Sequence, residues 1–179
     1  MSDRALIVID VQNEYFPGGA WALPDAEKAL PNITGLIAGA RDRGEAVVFI
    51  QHVAPADSPV FAAGSPGMAM RAELKVRPED PTFQKSHPSA FQDTGLQEFL
   101  EGTGIGRLDI CGFMTQMCCD TTTREAYGRG YSLRLFHDAC AARDLDTEEG
   151  AIPHDVVHRT HLASLARFAK IVTTAQAGE

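Results

Sequence analysis

Five short apolar runs punctuate this chain, and their spacing constrains the fold more than any other feature. They are Ala5-Leu6-Ile7-Val8-Ile9, Ala46-Val47-Val48-Phe49-Ile50, Leu108-Asp109-Ile110-Cys111, Tyr131-Ser132-Leu133-Arg134-Leu135-Phe136 and Lys170-Ile171-Val172-Thr173. The first two are continuously apolar and rich in β-branched residues, the pattern of strands buried on both faces of a parallel sheet. Pro81-Thr82-Phe83-Gln84-Lys85 reads as a sixth strand. Helical periodicity fills the intervals. Residues 25–43 carry Ala29, Ile33, Leu36, Ile37 and Ala40 and stop at Gly44, with Pro31 expected to break the first turn. Residues 117–129 end at Gly130, and residues 149–168 place Val156, Val157, Leu162, Leu165 and Phe168 on one side. Strand and helix alternate from end to end. The expected fold is therefore α/β, a three-layer doubly wound sandwich with a six-stranded, mostly parallel sheet and right-handed crossovers, forming a single domain over 1–179.

Residues 54–81 interrupt this rhythm with Pro55, Pro59, Pro66, Pro78 and Pro81 together with Gly64 and Gly67. Long irregular insertions in compact domains are usually functional loops, and this one is expected to shape specificity.

Composition narrows the function classes. Sixteen Lys+Arg against 24 Asp+Glu give a formal charge of −8, with no basic run, so nucleic acid and anionic lipid are not expected partners. No window approaches the roughly 20 apolar residues of a membrane span, and the start carries no signal-peptide pattern, which points to a cytoplasmic protein. The four cysteines, at 111, 118, 119 and 140, match neither a disulfide framework nor a zinc finger spacing. The useful question is which thiol reacts.

Ligands of open parallel sheets bind beyond the carboxyl ends of the strands, where strand order reverses, and the usual order sets the first and fourth strands side by side there. Asp10 ends the first strand. The turn after the fourth, Gly112-Phe113-Met114-Thr115-Gln116-Met117, leads to Cys118 at an expected helix start. There the helix dipole and free N–H groups would lower the pKa of the thiol and bind an oxyanion. Lys85, closing the third strand, supplies a fixed positive charge. A carboxylate, a cation and a thiol at adjacent strand ends suffice for nucleophilic amide hydrolysis without a histidine base.

These residues resemble the isochorismatase-like cysteine hydrolases, a family that includes nicotinamidases and N-carbamoylsarcosine amidase. The matching anchors are Asp10-Val11-Gln12-Asn13 with Phe16, Lys85 followed by Ser89-Ala90-Phe91, and Gly112 through Cys118 with Thr122, Ala126 and Gly130 behind it. Asp138-Ala139-Cys140, placed after the fifth strand, also matches. The resemblance implies that Asp10 is the general base, Cys118 the nucleophile and Lys85 the charge that holds the pair. It also implies a cis peptide at Phe113-Met114 and an oxyanion hole from the Met114 and Cys118 amides. Thioester chemistry on a small amide or carbamoyl compound follows, with no cofactor. Family members assemble as homodimers or homotetramers, so the same is expected here. Pocket walls are expected from Phe16, Trp21, His52, Phe91 and Phe113, since small-molecule sites are mostly apolar with a few placed polar groups.

Two other functions share the fold: vinyl ether hydrolysis by the aspartate without the thiol, and small-molecule binding without turnover. Cys118 counts against the first and the intact Asp10, Lys85 and Cys118 set against the second. Nicotinamidases carry an Asp-x-His metal motif after the second strand where this chain reads Ile50-Gln51-His52-Val53, so no metal is expected. His154 and His158 have the spacing of a zinc-binding helix, with His161 one turn on, but Asp155 is shorter than the usual Glu base and no third ligand is evident, so zinc is not expected there either. Gly102-Thr103-Gly104-Ile105-Gly106 precedes a strand instead of following one, which disfavours a dinucleotide.

Overall fold

The structure is a computed structural model, and it describes residues 2–178. Six strands form one parallel sheet: β1 (Arg4–Ile9), β2 (Ala46–His52), β3 (Thr82–Lys85), β4 (Arg107–Phe113), β5 (Ser132–Ala141) and β8 (Lys170–Val172), in the order β3-β2-β1-β4-β5-β8. A separate antiparallel hairpin pairs β6 (Leu145–Thr147) with β7 (Gly150–Ile152). The helices are α1 (Ala26–Asp42), α2 (Leu96–Thr103), α3 (Asp120–Gly128) and α4 (His154–Leu165).

Strand residues alternate between two cores, as the two-residue side-chain period requires. Leu6, Val8, Val47, Phe49 and Cys111 pack beneath Ile33, Leu36 and Ile37 of α1. Ala5, Ile7, Ile9, Val48, Ile50 and Ile110 face Leu96 and Leu100 of α2, Ala126 of α3, and Leu162 and Leu165 of α4. Each fully buried aliphatic side chain contributes about 1.5–3 kcal/mol, so both layers are stabilised mainly by this sheet. The connection β3-α2-β4 carries the chain across β2 and β1, which leaves the switch point between β1 and β4.

Local differences from the sequence reading have physical causes. Helix α1 runs through Pro31, which lies on its exposed face, where the lost hydrogen bond leaves a carbonyl facing water. The last helix begins at His154 because Pro153 occupies its cap position and residues 150–152 are extended in β7. Helix α2, just eight residues long, holds the sheet through Leu96 and Leu100 one turn apart and ends at Gly104 in the left-handed conformation. The run Gly102 to Gly106 is thus a helix terminus, away from the switch point. Asp138, Ala139 and Cys140 lie inside β5, which continues past Phe136 and shifts register between Ile110 and Gly112 of β4. Gly112 is required there: its φ is +117°, and a Cβ would stand 2.0 Å from the Ile9 carbonyl oxygen.

Candidate active site

Four neighbouring strands deliver one side chain each to the switch point. Asp10 follows β1 at φ 51°, a left-handed turn that aspartate tolerates better than most residues. Lys85 closes β3, and His52 closes β2 as its register partner. Cys118 follows β4, past a cis peptide bond at Phe113-Met114, as the resemblance implies.

Lys85 joins the group. Its Nζ lies 2.7 Å from Asp10 Oδ2, donates to Cys118 Sγ at 3.3 Å and stands 3.4 Å from His52 Nδ1. The Asp10 and Lys85 side chains are wholly excluded from solvent. Beyond the Lys85 ammonium and the neighbouring Cys118 thiol, the Asp10 carboxylate has no side-chain partner among the described residues, so the ion pair is its main compensation. Burial pushes Lys85 toward neutrality, but the Asp10 carboxylate and the Cys118 sulfur outweigh it and hold the ammonium more firmly protonated than usual.

The thiol departs from the sequence reading. Cys118 does not open a helix; it sits fourth in a π-helical turn, Thr115–Cys119, whose widened ring is closed by the Cys119 N–H bond to the Met114 carbonyl at 3.2 Å. Burial, followed by the neighbouring Asp10 carboxylate, pushes the thiol pKa well up, and Lys85 offsets this only in part. Its surroundings therefore favour the neutral thiol over the thiolate. For such a thiol to act as a nucleophile a base must take its proton, since no helix dipole outweighs the burial here.

A cavity of about 110 Å³ opens above Cys118, lined by Tyr15, Trp21, His52, Val60, Phe61, Pro88 and Met117. Trp21 and His52, expected at the pocket, border it. Phe16, Phe91 and Phe113 do not. Phe113 is completely buried beneath Tyr15, at a centroid distance of 5.7 Å, and Phe16 packs edge-on against Phe113 with the Arg71 guanidinium over its other face. Phe91 stacks on Tyr131 under Arg129. These three rings support the site from beneath, because a residue near a catalytic motif in sequence faces either the cavity or the core according to its turn. Of the residues not anticipated, Phe61 carried a visible signal as the single aromatic of the proline-rich insertion.

Gln12 explains how that insertion is held. Its amide Nε2 donates to the His52 and Met68 carbonyls at 2.8 and 2.7 Å, while its Oε1 accepts the His52 N–H at 2.8 Å. The buried Glu14 carboxylate accepts the Ala20 N–H at 2.7 Å and the Phe61 N–H at 3.4 Å. Two polar residues just beyond β1 thus fix the backbone of one pocket wall and the ring that covers it. A larger open cleft of about 330 Å³, lined by Ala20, Ala22, Pro24, Arg143, Asp144 and Asp146, shares only Trp21 with the cavity.

The described residues contain no group of three or more His, Cys, Asp or Glu side chains placed to hold a metal. The three helical histidines turn to separate partners: His154 to Asp144, His158 to the Thr115 hydroxyl at 2.8 Å and His161 to Asp120 at 3.1 Å.

Fold and site together define a doubly wound α/β protein with a carboxylate, an ammonium and a thiol joined at its switch point. The Isochorismatase domain model matches residues 4–176. The chain is 33% identical to the isochorismatase family protein YddQ of Bacillus subtilis, over 97% of both chains. It is 30% identical to the ureidoacrylate amidohydrolase RutB of Variovorax paradoxus, covering 77% of this chain and 68% of that one. A cysteine hydrolase structure from Pseudomonas syringae pv. phaseolicola, 26% identical, superimposes with a TM-score of 0.93 over 98% of this chain and 92% of that one. The protein belongs to the isochorismatase family of hydrolases.

Proposed function

We propose that the protein is a cysteine-dependent hydrolase that cleaves a C–N bond of a small amide or carbamoyl compound. The observation carrying this reading is the contact of a single ammonium, Lys85 Nζ, with both Asp10 at 2.7 Å and Cys118 at 3.3 Å, beneath a cavity that opens onto the sulfur. The amidohydrolase activity in the name of the Variovorax relative points the same way.

In this mechanism Asp10 takes the Cys118 proton as Sγ attacks the amide carbon. The carbonyl electron pair moves to oxygen, where the Met114 and Cys118 backbone N–H groups receive the oxyanion. Collapse breaks the C–N bond, Asp10 returns the proton to the leaving nitrogen, and an acyl thioester remains. Water then loses a proton to Asp10 and attacks the thioester, and the departing thiolate recovers that proton. Lys85 stays charged throughout, stabilising whichever partner is the anion. The high resting pKa of Cys118 fits a thiol that ionises only as its proton passes to Asp10.

Ammonia release from a panel of primary amides, ureido acids and carbamoyl amino acids tests this, with the parent protein beside Cys118→Ala. Turnover by the parent and its loss in the variant are expected. A Cys118→Ala protein that still releases ammonia while Asp10→Asn does not would replace this reading with amide hydrolysis by the aspartate without the thiol. Silence across the panel, with no thioester trapped on Cys118, would overturn this reading in favour of ether hydrolysis or binding without turnover.

A further inference from the structure

His52 has a role that the ammonium geometry defines. An ammonium has three protons, and Lys85 Nζ has three acceptors in reach: Asp10 Oδ2 at 2.7 Å, Cys118 Sγ at 3.3 Å and His52 Nδ1 at 3.4 Å. A nitrogen facing a charged ammonium can only accept, so Nδ1 carries no proton and the neutral ring must carry its proton on Nε2. Nε2 has no protein partner among the described residues, and the ring lines the cavity beside Cys118. Its orientation is fixed twice over. Gln12 clamps the His52 backbone through both its N–H and its carbonyl, and Phe61 packs edge-on against the ring at 5.3 Å.

Resting on the amidase reading, we propose that His52 is a positioning residue locked in its Nε2–H tautomer. It offers the cavity one fixed donor that selects small amides bearing a hydrogen-bond acceptor, a carbonyl, carboxylate or ring-nitrogen lone pair, on the group beside the scissile bond. The rest of the described wall is largely apolar; the Trp21 indole adds a donor, and the Tyr15 hydroxyl, which rotates, adds no fixed preference. A substrate presenting an N–H to His52 meets donor against donor and leaves two polar groups unpaired in a confined space. The charged and titratable groups around the imidazole are Lys85 from β3, Asp10 after β1 and His87 beyond β3. Burial, then Lys85, disfavours protonation of the ring, which keeps the tautomer in place at neutral pH.

Long-range proton–nitrogen NMR correlations on uniformly 15N-labelled protein, with the His52 signals assigned by their loss in His52→Gln, decide the tautomer without any turnover. A neutral ring protonated at Nε2, persisting to a pH below the ordinary histidine value of 6.5, is expected. An Nδ1-protonated ring, or ordinary titration at 6.5, overturns the proposal. Steady-state kinetics on the best amide of the panel then compare His52→Phe, which keeps the ring shape, with His52→Gln, which restores an N–H donor. His52→Phe should raise KM by about tenfold, and Gln, which keeps an N–H donor, should recover most of it. Equal KM values in parent and Phe variant would overturn the selecting role. A panel silent toward every amide would sink the amidase reading instead, while the NMR measurement still rules on the tautomer.

Discussion

Two buried carboxylates stand at opposite ends of the central strands, and they are treated very differently. Asp109, near the start of β4, accepts from Arg4 at 2.6 Å and from Arg134 Nε and one terminal nitrogen at 2.8 and 2.6 Å. Those arginines are themselves anchored in β1 and β5, so three neighbouring strands are tied at their amino ends. Asp10, at the carboxyl end of β1, has one charged partner, the Lys85 ammonium at 2.7 Å, beside the Cys118 thiol. Three charged donors fill three of the roughly four lone-pair positions of Asp109. Asp10, paired with the single Lys85 ammonium, keeps lone pairs open to receive a proton, as its proposed role requires. Dense pairing marks the amino end of the sheet, and sparse pairing the end where the proposed chemistry sits.

The sharpest way to break this comparison is to neutralise each carboxylate in turn. Asp10→Asn should cut turnover by about 10²–10⁴-fold, the usual contribution of a general base, while Asp109→Asn should leave the rate at the parental level and lower stability instead. Asp10→Asn should also make Cys118 easier to alkylate. With the carboxylate gone, Lys85 remains as the charge that lowers the thiol pKa, and the thiolate becomes the natural counter-ion of the buried ammonium. Iodoacetamide labelling at neutral pH should therefore accelerate in a protein that has lost its hydrolysis. Slower labelling would mean that Asp10 does not hold the proton on the thiol.

Removing the cations tests the same contrast through stability. Lys85→Met strands the Asp10 charge in a solvent-free site and should cost about 3–5 kcal/mol in urea unfolding, or force Asp10 to take a proton. The double variant Asp10→Asn/Lys85→Met should recover most of that loss and no activity. Arg134→Met should cost less than Lys85→Met, because Asp109 keeps Arg4. Equal losses would mean that the number of donors around each carboxylate has no energetic consequence.

The sequence patterns reached the sheet more fully than the site. Continuous apolar runs such as Ala5 to Ile9 can be little other than strands buried on both faces, and once four are ordered, the switch point places Asp10, Lys85 and the turn before Cys118 at one edge. Elements that depend on one or two contacts were invisible: α2 relies on Leu96 and Leu100, and the β6-β7 hairpin buries almost nothing. The thiol was the instructive failure. Its place after β4 was readable, but its protonation depends on burial and on the distance to a carboxylate more than a hundred residues away in the chain, and no local pattern encodes either. Pocket walls failed for a related reason. Phe16 and Tyr15 are neighbours, yet only Tyr15 reaches the cavity, since the three-residue helical turn at Asn13–Tyr15 decides which ring points up.

The smallest effect concerns pH, and it again separates the two ends of the sheet. His52 and His158 both border the catalytic turn, His158 through the Thr115 hydroxyl, and both have pKa values lowered from 6.5, first by burial and then by a neighbouring cation or histidine. In the unfolded chain each takes a proton near 6.5; in the folded protein each resists until the pH is lower. Between those values the unfolded state binds more protons, so stability falls as pH drops below about 6.5 and levels off only beneath the folded values. Urea midpoints measured from pH 8 to pH 5 should decline accordingly, and His52→Gln/His158→Gln should flatten the curve. The amino-end network of Asp109, Arg4 and Arg134 contains no histidine, so Arg134→Met should shift the whole curve downward without changing its slope. A slope that changes in Arg134→Met and persists in the double histidine variant would place the titrating groups at the amino end and undo the contrast.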